Sequence, residues 1–248
     1  MRLNIKALAF LAIILLLWES VFQLGIVNRA LFPGPSKVLE AALEWLFSGN
    51  LANDAFTSLW RLAIGLGIGA ALGTLLGLII GRILFLEETV APLLHILRAL
   101  PPVALIPLII IWFGIGDIEK IFSISFAVFF PVWISAMVGA KAVHADYIKA
   151  AKIFSKSSIE TFQKVIFPAI VPFLISGIRI GIGVAFIMVF VSELAGASSG
   201  LGYFIATAQI IYRADMMLAG LIVLGLIAAA TDFAFVIFSK KIFSWAEL

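Results

Sequence analysis

The chain has 248 residues, of which 63% are hydrophobic and only 12% charged, a balance that excludes a soluble globular domain, which carries about twice that charge. A net charge of +3 is too small to argue for nucleic-acid binding and is accounted for by basic residues clustered at one set of span ends. The absence of cysteine excludes disulfides, a thiolate nucleophile and thiolate metal ligation.

Apolar stretches of about 20 residues, the length that crosses a bilayer core, fall at about 7–27, 58–81, 90–112, 121–140, 173–194 and 216–239. The expected fold is all-α: a polytopic membrane protein with six transmembrane helices, forming a single domain over 1–248. Too few residues remain outside the spans for a second folded domain. The first run is followed by Trp18-Glu19 without a small-residue cleavage site, so it reads as a retained helix and not a signal peptide.

After this span, Phe32-Pro33-Gly34-Pro35-Ser36 breaks the chain. Ser36 is expected to cap an outer interfacial helix with Val38, Leu39, Ala42, Leu43 and Leu46 on its apolar face. In the second span Gly65, Gly69, Gly73, Gly77 and Gly81 recur every fourth residue, with Gly67 off the ridge. Such a ridge admits a close helix neighbour, either within one subunit or across a seam between copies.

The third span contains Pro101-Pro102 and Pro107. Each proline removes a backbone donor and clashes with the preceding turn, so a kink or break is expected near mid-membrane. The break serves either packing or a transport path lined by freed backbone groups. Arg98, with His95 at i−3, has no carboxylate at matching depth. It is therefore a candidate contact for an anionic substrate, the alternative being snorkelling or bonding to carbonyls near Pro101.

Between the fourth and fifth spans, residues 147–168 form a polar island patterned as two helices and a turn. Tyr147, Ala150, Ala151 and Phe154 share one helical face, and Lys149, Lys152 and Lys156 lie opposite. Ser157 and Glu160 have capping-box spacing, and Ile159, Phe162 and Ile166 form the second helix's apolar stripe. The amphipathic pair reads as a docking surface.

Arg179 on the fifth span and Asp232 on the sixth lie at similar depths, roughly 10 to 14 Å from the inner surface at 1.5 Å per residue. Pairing is expected, because an unpaired charge there is costly. Glu193 ends the fifth span and introduces Gly196, Ser198, Ser199, Gly200 and Gly202. This glycine-rich stretch lacks the G-K-[ST] ending of a P-loop. It reads either as an outer gate whose glycines allow close backbone approach or as a flexible loop. His95 and His144 are too isolated for a metal site. With the N-terminus inside, ten basic residues (Arg2, Lys6, Arg82, Lys141, Lys149, Lys152, Lys156, Lys164, Lys240, Lys241) lie at inner span ends, against Arg29, Lys37, Lys120 and Arg213 outside. Both termini and the segment 147–168 are thus expected in the cytoplasm.

The polar island resembles the coupling loop, or EAA loop, of ABC importer permeases: Ala150 and Ala151 match its alanines and Pro168 its proline, while Lys149, Ser155 and Phe167 depart from its acidic residue, glycine and leucine. The glycine position lies where the chain turns, and a positive φ there would be costly for Ser155. FPGPSKVLEAAL (32–43), LRALPPVALIPLIIIWFGIGD (97–117) and SELAGASSGLGYFI (192–205) resemble the permeases for nitrate, taurine, alkanesulfonates, bicarbonate and some vitamin precursors. The resemblance implies a permease subunit in the inner (plasma) membrane, working as a homodimer with two ATP-binding subunits and an extracytoplasmic solute-binding protein. ATP and Mg would be bound by the partner ATPase, with no cofactor or metal in this chain. Tyr147, Ala150, Ala151, Phe154, Ser155 and Pro168 would couple to the ATPase, and His95, Arg98, Pro101 and Pro102 would line the translocation path. The other classes weighed are a secondary transporter driven by an ion gradient, which needs an embedded cation or proton site, and a polytopic membrane enzyme, which needs convergent catalytic groups.

Overall fold

The computed structural model describes residues 5–155 and 157–245, and among them the only regular secondary structure is helical. Lys156, the side chain of Lys152 and Arg2 lie outside the described residues. The helices are α1 (Ile5–Gln23), α2 (Pro35–Phe47), α3 (Asn50–Arg82), α4 (Leu84–Arg98), α5 (Pro102–Phe113), α6 (Asp117–Ala142), α7 (Ala145–Phe154), α8 (Ser158–Thr161), α9 (Phe167–Gly196), α10 (Leu201–Ile210) and α11 (Ala214–Ile242), with a π-helical turn at Phe162–Ile166. Five helical stretches are long and apolar enough to cross a membrane, and a sixth span results if α4 and α5 count as one broken crossing.

That break carries a 93° bend and sits where the adjacent prolines put it. Pro101 is extended, with φ −67° and ψ 118°, and Pro102 opens α5. A residue preceding proline is pushed out of the α region, so α4 ends at Arg98 and a new helix begins. Pro107, by contrast, stays inside α5.

The chain divides into two compact units, Met1–Ser58 with Ala197–Ile227, and Leu59–Gly196 with Ala228–Leu248. In the first unit, α2 buries Val38, Ala41 and Trp45, the first two in a cluster with Trp18, Met216 and Ala219. Trp45 also stacks on Phe204, with centroids 3.6 Å apart and planes 3° from parallel. The face that packs against protein is thus offset from the expected apolar stripe, which would meet lipid in an interfacial helix. Only Val38 of that stripe is fully buried, while Leu39, Leu43 and Leu46 are exposed. Alanine and tryptophan at i+3 and i+7 from Val38 fit the neighbouring helices, leaving the leucines outward.

The cap is corrected. Gly34 is the N-cap and Pro35 opens the helix, so Ser36 is already helical. Its amide and hydroxyl instead donate to the Glu19 carboxylate at 3.0 and 2.9 Å, and α1 thereby satisfies a free amide at the start of α2. A Cβ on Gly34 would lie 2.6 Å from the Phe22 ring and 2.8 Å from Glu19 Oε2.

In the second unit, α6 packs extensively against α9. The glycine ridge of α3 lies along α6 of the same chain. A Cβ at Gly65 would meet Ile124 at 2.7 Å, at Gly69 the Ser125 carbonyl at 2.6 Å, at Gly73 the Phe129 carbonyl at 2.7 Å, at Gly77 the Trp133 carbonyl at 2.5 Å, and at Gly81 the Met137 carbonyl at 2.8 Å. Gly67 has nothing within 4 Å. The ridge therefore serves packing within the subunit.

The segment after α6 differs from two helices and a turn. Ser157 Oγ accepts from the Glu160 amide at 3.2 Å, as expected of a cap, but the second helix does not stop. It runs through the π turn into α9, making one apolar stretch from 158 to 196. Pro168 has no amide to offer the carbonyl one turn back, and the widened π turn ahead of it accommodates that loss. Ser155 has φ −95° and ψ 139°, so the turn needs no positive φ and the family's glycine can be replaced without backbone strain.

Candidate functional site: a coupling surface and a broken span

The inner side of α7 is anchored by Ile148, which packs against the cluster of Ala136, Val143, Ile170 and Leu174. Most of the face predicted for docking points away from that anchor and the core. Phe154 is 88% and Tyr147 70% exposed, Ala150 is exposed, and Ala151 and Ser155 are half-buried. Ile153 and Ile159 are exposed beside them. Several large apolar side chains thus stand uncovered on a short polar segment, the pattern of a surface made for a partner. Pro168 is half-buried at the start of α9. The ion pairs here, Lys149 to Asp146 at 3.4 Å and Lys164 to Glu160 at 2.8 Å, are solvated helix-face pairs that contribute little to stability.

His95 and Arg98 occupy the last turn of α4, immediately before the break. The His95 ring lies 5.1 Å from that of Trp133, inclined at 60°. Arg98 is exposed, and among the described residues no acceptor is bonded to its guanidinium. Its charge complements the negative end of α4's dipole. Pro101 and Pro102 form the break itself.

Sequence reasoning missed a charge network in the second unit. Arg61 Nη1 donates to Glu193 Oε1 at 2.7 Å and Arg61 Nε to Asp117 Oδ1 at 2.8 Å. Lys120 Nζ, equally buried, donates to Glu119 Oε2 at 3.1 Å and to the carbonyls of Gly116 at 3.0 Å and Gly196 at 2.8 Å. The network ties together α3, α6 and α9. Glu193, expected at the mouth of the outer loop, is 1% exposed, and Lys120, reckoned among the outward charges, is equally buried. Arg61 and Glu193 each lie near one end of a span, where charge is ordinarily wet, so their position alone gave no sign of this burial.

Arg179 and Asp232 form a two-pronged ion pair, Nε to Oδ1 at 2.8 Å and Nη2 to Oδ2 at 2.9 Å. In the first unit, the glycine-rich stretch is fastened to the beginning of α3. Gly200, at φ +125°, a conformation that favours glycine, donates its amide to Asp54 Oδ1 at 2.9 Å. The Leu201 amide donates to Ser58 Oγ at 2.9 Å. Asp54 Oδ2 in turn accepts from Trp45 Nε1 at 3.1 Å. Gly202 is buried in α10, and Ser198 and Ser199 line a cavity of about 440 Å³ with Trp45 and Tyr203. Gly196 ends α9 in the second unit, where a Cβ would meet Ile115 at 3.5 Å. Among the described residues no group of three or more His, Cys, Asp or Glu side chains could hold a metal.

Residues 69–244 match the family model described as the binding-protein-dependent transport system inner membrane component. The chain belongs to that family. Membership makes it an integral inner-membrane transport component, in keeping with the apolar helices. This family member is 32% identical over 244 residues to a putative aliphatic sulfonates transport permease protein, SsuC, of Bacillus subtilis (strain 168), covering 97% of this chain and 87% of the relative. It is 30% identical over 240 residues to the taurine transport system permease protein TauC of Escherichia coli (strain K12), covering 95% and 87%. Against the putative aliphatic sulfonates permease SsuC of the same strain it is 32% identical over 219 residues, covering 88% and 83%. A structure of the MetNI methionine ABC transporter in an inward-facing conformation superposes with a TM-score of 0.66 at 19% identity, covering 79% of this chain and 97% of that one. At that identity the likeness establishes the permease fold alone.

Proposed function

We propose that this chain is the permease of an ATP-driven importer for a small anion of the sulfonate or taurine kind, acting as one transmembrane domain in a homodimer. The observation that carries the reading is the uncovered apolar face of Tyr147, Ala150 and Phe154, which suits docking of an ATP-binding subunit. Ala151, Ser155 and Pro168 would shape the seat of that docking segment. The names of the relatives support the substrate class. ATP and Mg would be held by two ATPase subunits on the cytoplasmic side, with an extracytoplasmic binding protein delivering the solute.

In this reading α7 and α8 convey closure of the ATPase pair into α9, with which α8 is continuous through the π turn. Each nucleotide state must favour one of the inward-open and outward-open conformers, or no transport results. Arg98 at the broken span would attract the anion where a low dielectric strengthens its field. Both termini would face the cytoplasm.

The test is co-purification of the tagged permease with an ATPase bearing a P-loop, followed by uptake of labelled taurine and alkanesulfonates in proteoliposomes containing ATP. Purification without any ATPase, or ATP-independent uptake driven by an ion gradient, overturns the proposal. ATP-driven uptake of a neutral vitamin precursor overturns the substrate class alone. Cysteines replacing Ser155 and Ser198 should be labelled by impermeant reagents from opposite faces, and labelling from one face overturns the orientation.

A further inference from the structure

At the end of α3 that carries Arg82, this helix and the docking segment enclose an open groove of about 540 Å³. Leu75 and Ile79 form the α3 side, and Ile148, Phe162 and Ile166 the other. Arg82 stands at the rim, in the last turn of the helix. We propose that this groove binds an anionic glycerophospholipid, one acyl chain lying between α3 and the docking segment and its phosphate on Arg82.

The part of the groove that runs along α3 selects a lipid over a soluble partner. Leu75 lies seven residues before Arg82 on a membrane-crossing helix, which at 1.5 Å per residue is about 10 Å into the hydrocarbon. An acyl chain already occupies that zone, whereas a soluble protein would have to pass the headgroups to reach it. The apolar wall also continues outward along α3, where Leu72, Leu75 and Leu76 are exposed, so the groove opens onto bilayer. The rim selects the headgroup. Arg61, Arg179 and Arg213 are each bonded to carboxylates, but no acceptor among the described residues is bonded to Arg82. An exposed guanidinium at the interface matches a phosphate with its fixed fork of donors.

The consequence concerns coupling. The lipid would touch the π turn that joins α8 to α9, so its presence would stiffen the segment through which the docked ATPase acts. The lipid site itself rests on the membrane placement of α3 and not on the identity of the solute or of the ATPase.

The experiment uses the permease in whatever assembly it purifies, delipidated and exchanged into vesicles of phosphatidylglycerol or phosphatidylcholine, with bound lipid counted by native mass spectrometry. The wild type should retain phosphatidylglycerol about fivefold more than phosphatidylcholine, the preference expected of one arginine at the interface. Arg82→Gln should lower phosphatidylglycerol retention to the phosphatidylcholine level, and Arg82→Lys should keep most of the preference. Ile79→Trp, which fills the groove, should reduce retention of both lipids. Should that variant fail to fold, the two changes at exposed Arg82 carry the test. Equal retention of both lipids by the wild type, unchanged preference in Arg82→Gln, or no retained lipid because another protein chain covers the groove would each overturn the proposal. None of these outcomes depends on uptake, so a failure here leaves the transport reading untouched.

Discussion

Arg61 and Glu193 are 132 positions apart in the chain and 2.7 Å apart in the structure, with the Glu193 side chain wholly buried. The same guanidinium reaches Asp117, whose side chain is 61% exposed. One arginine thus bridges a buried and a solvated carboxylate, and the two bonds have different worth. Removing one partner of a buried pair strands the other charge and costs about 3–5 kcal/mol, whereas an exposed pair contributes about 0–1 kcal/mol. Arg61→Met should therefore sharply lower the melting temperature and the yield of monodisperse protein, and Asp117→Asn should barely alter either. Equal effects of the two changes would contradict this division.

The glycine ridge allows a sharper comparison within one helix. Gly77→Ala places a methyl group 2.5 Å from the Trp133 carbonyl, and backbone cannot yield as a flexible side chain can. The expected loss is about 1–3 kcal/mol from overpacking. Gly67→Ala, with open space around it, should gain up to about 1 kcal/mol from helix propensity. Thermal unfolding of both variants in one detergent checks the opposite signs. Like signs would mean that α3 and α6 are not packed as described.

For the docking surface the expectation is a separation of binding from folding. Phe154 buries almost nothing within its own chain, so Phe154→Ala should change stability by no more than about 0.5 kcal/mol. It should nevertheless weaken ATPase binding by about 2 kcal/mol, as truncation of an aromatic anchor does. Ala151→Trp should uncouple ATP hydrolysis from uptake, because the half-buried alanine leaves little room. Wild-type transport by Ala151→Trp would remove this face from the coupling assignment.

Arg98 and Arg179 should separate cleanly. Arg98 has no bonded acceptor among the described residues, so Arg98→Gln should leave folding intact and, with an anionic solute, slow uptake by at least about tenfold, the equivalent of 1.4 kcal/mol. An unchanged uptake rate would exclude Arg98 from the path.

Arg179→Gln should instead lower the yield of folded protein by stranding Asp232, its partner at 2.8 and 2.9 Å. Arg179→Asn with Asp232→Asn should recover part of that yield, which a double-mutant cycle measures directly. Additive losses would show that the pair is not energetically coupled.

The membrane class, the all-helical fold, the site of the broken helix and the exposed face of the docking segment were all legible in the sequence. They follow from hydropathy, from proline chemistry and from helical periodicity, each of which acts within a few residues. The Arg179–Asp232 pair was legible too, because a bilayer imposes a depth on every charge and two opposite charges at one depth have strong reason to meet. Three features needed the tertiary structure. The neighbour of the glycine ridge was open between a helix of the same subunit and a second copy, since periodicity reports a close approach without saying what approaches, and the structure supplies α6. The free amide of Ser36 at the start of α2 is met by Glu19 from another helix, a long-range partner in place of the local serine cap that no short-range rule anticipates. The Arg61, Lys120 and Glu193 network was hidden because charges at span ends are ordinarily wet, and only packing of α6 against α9 and α3 withdraws these from water and makes their pairing obligatory.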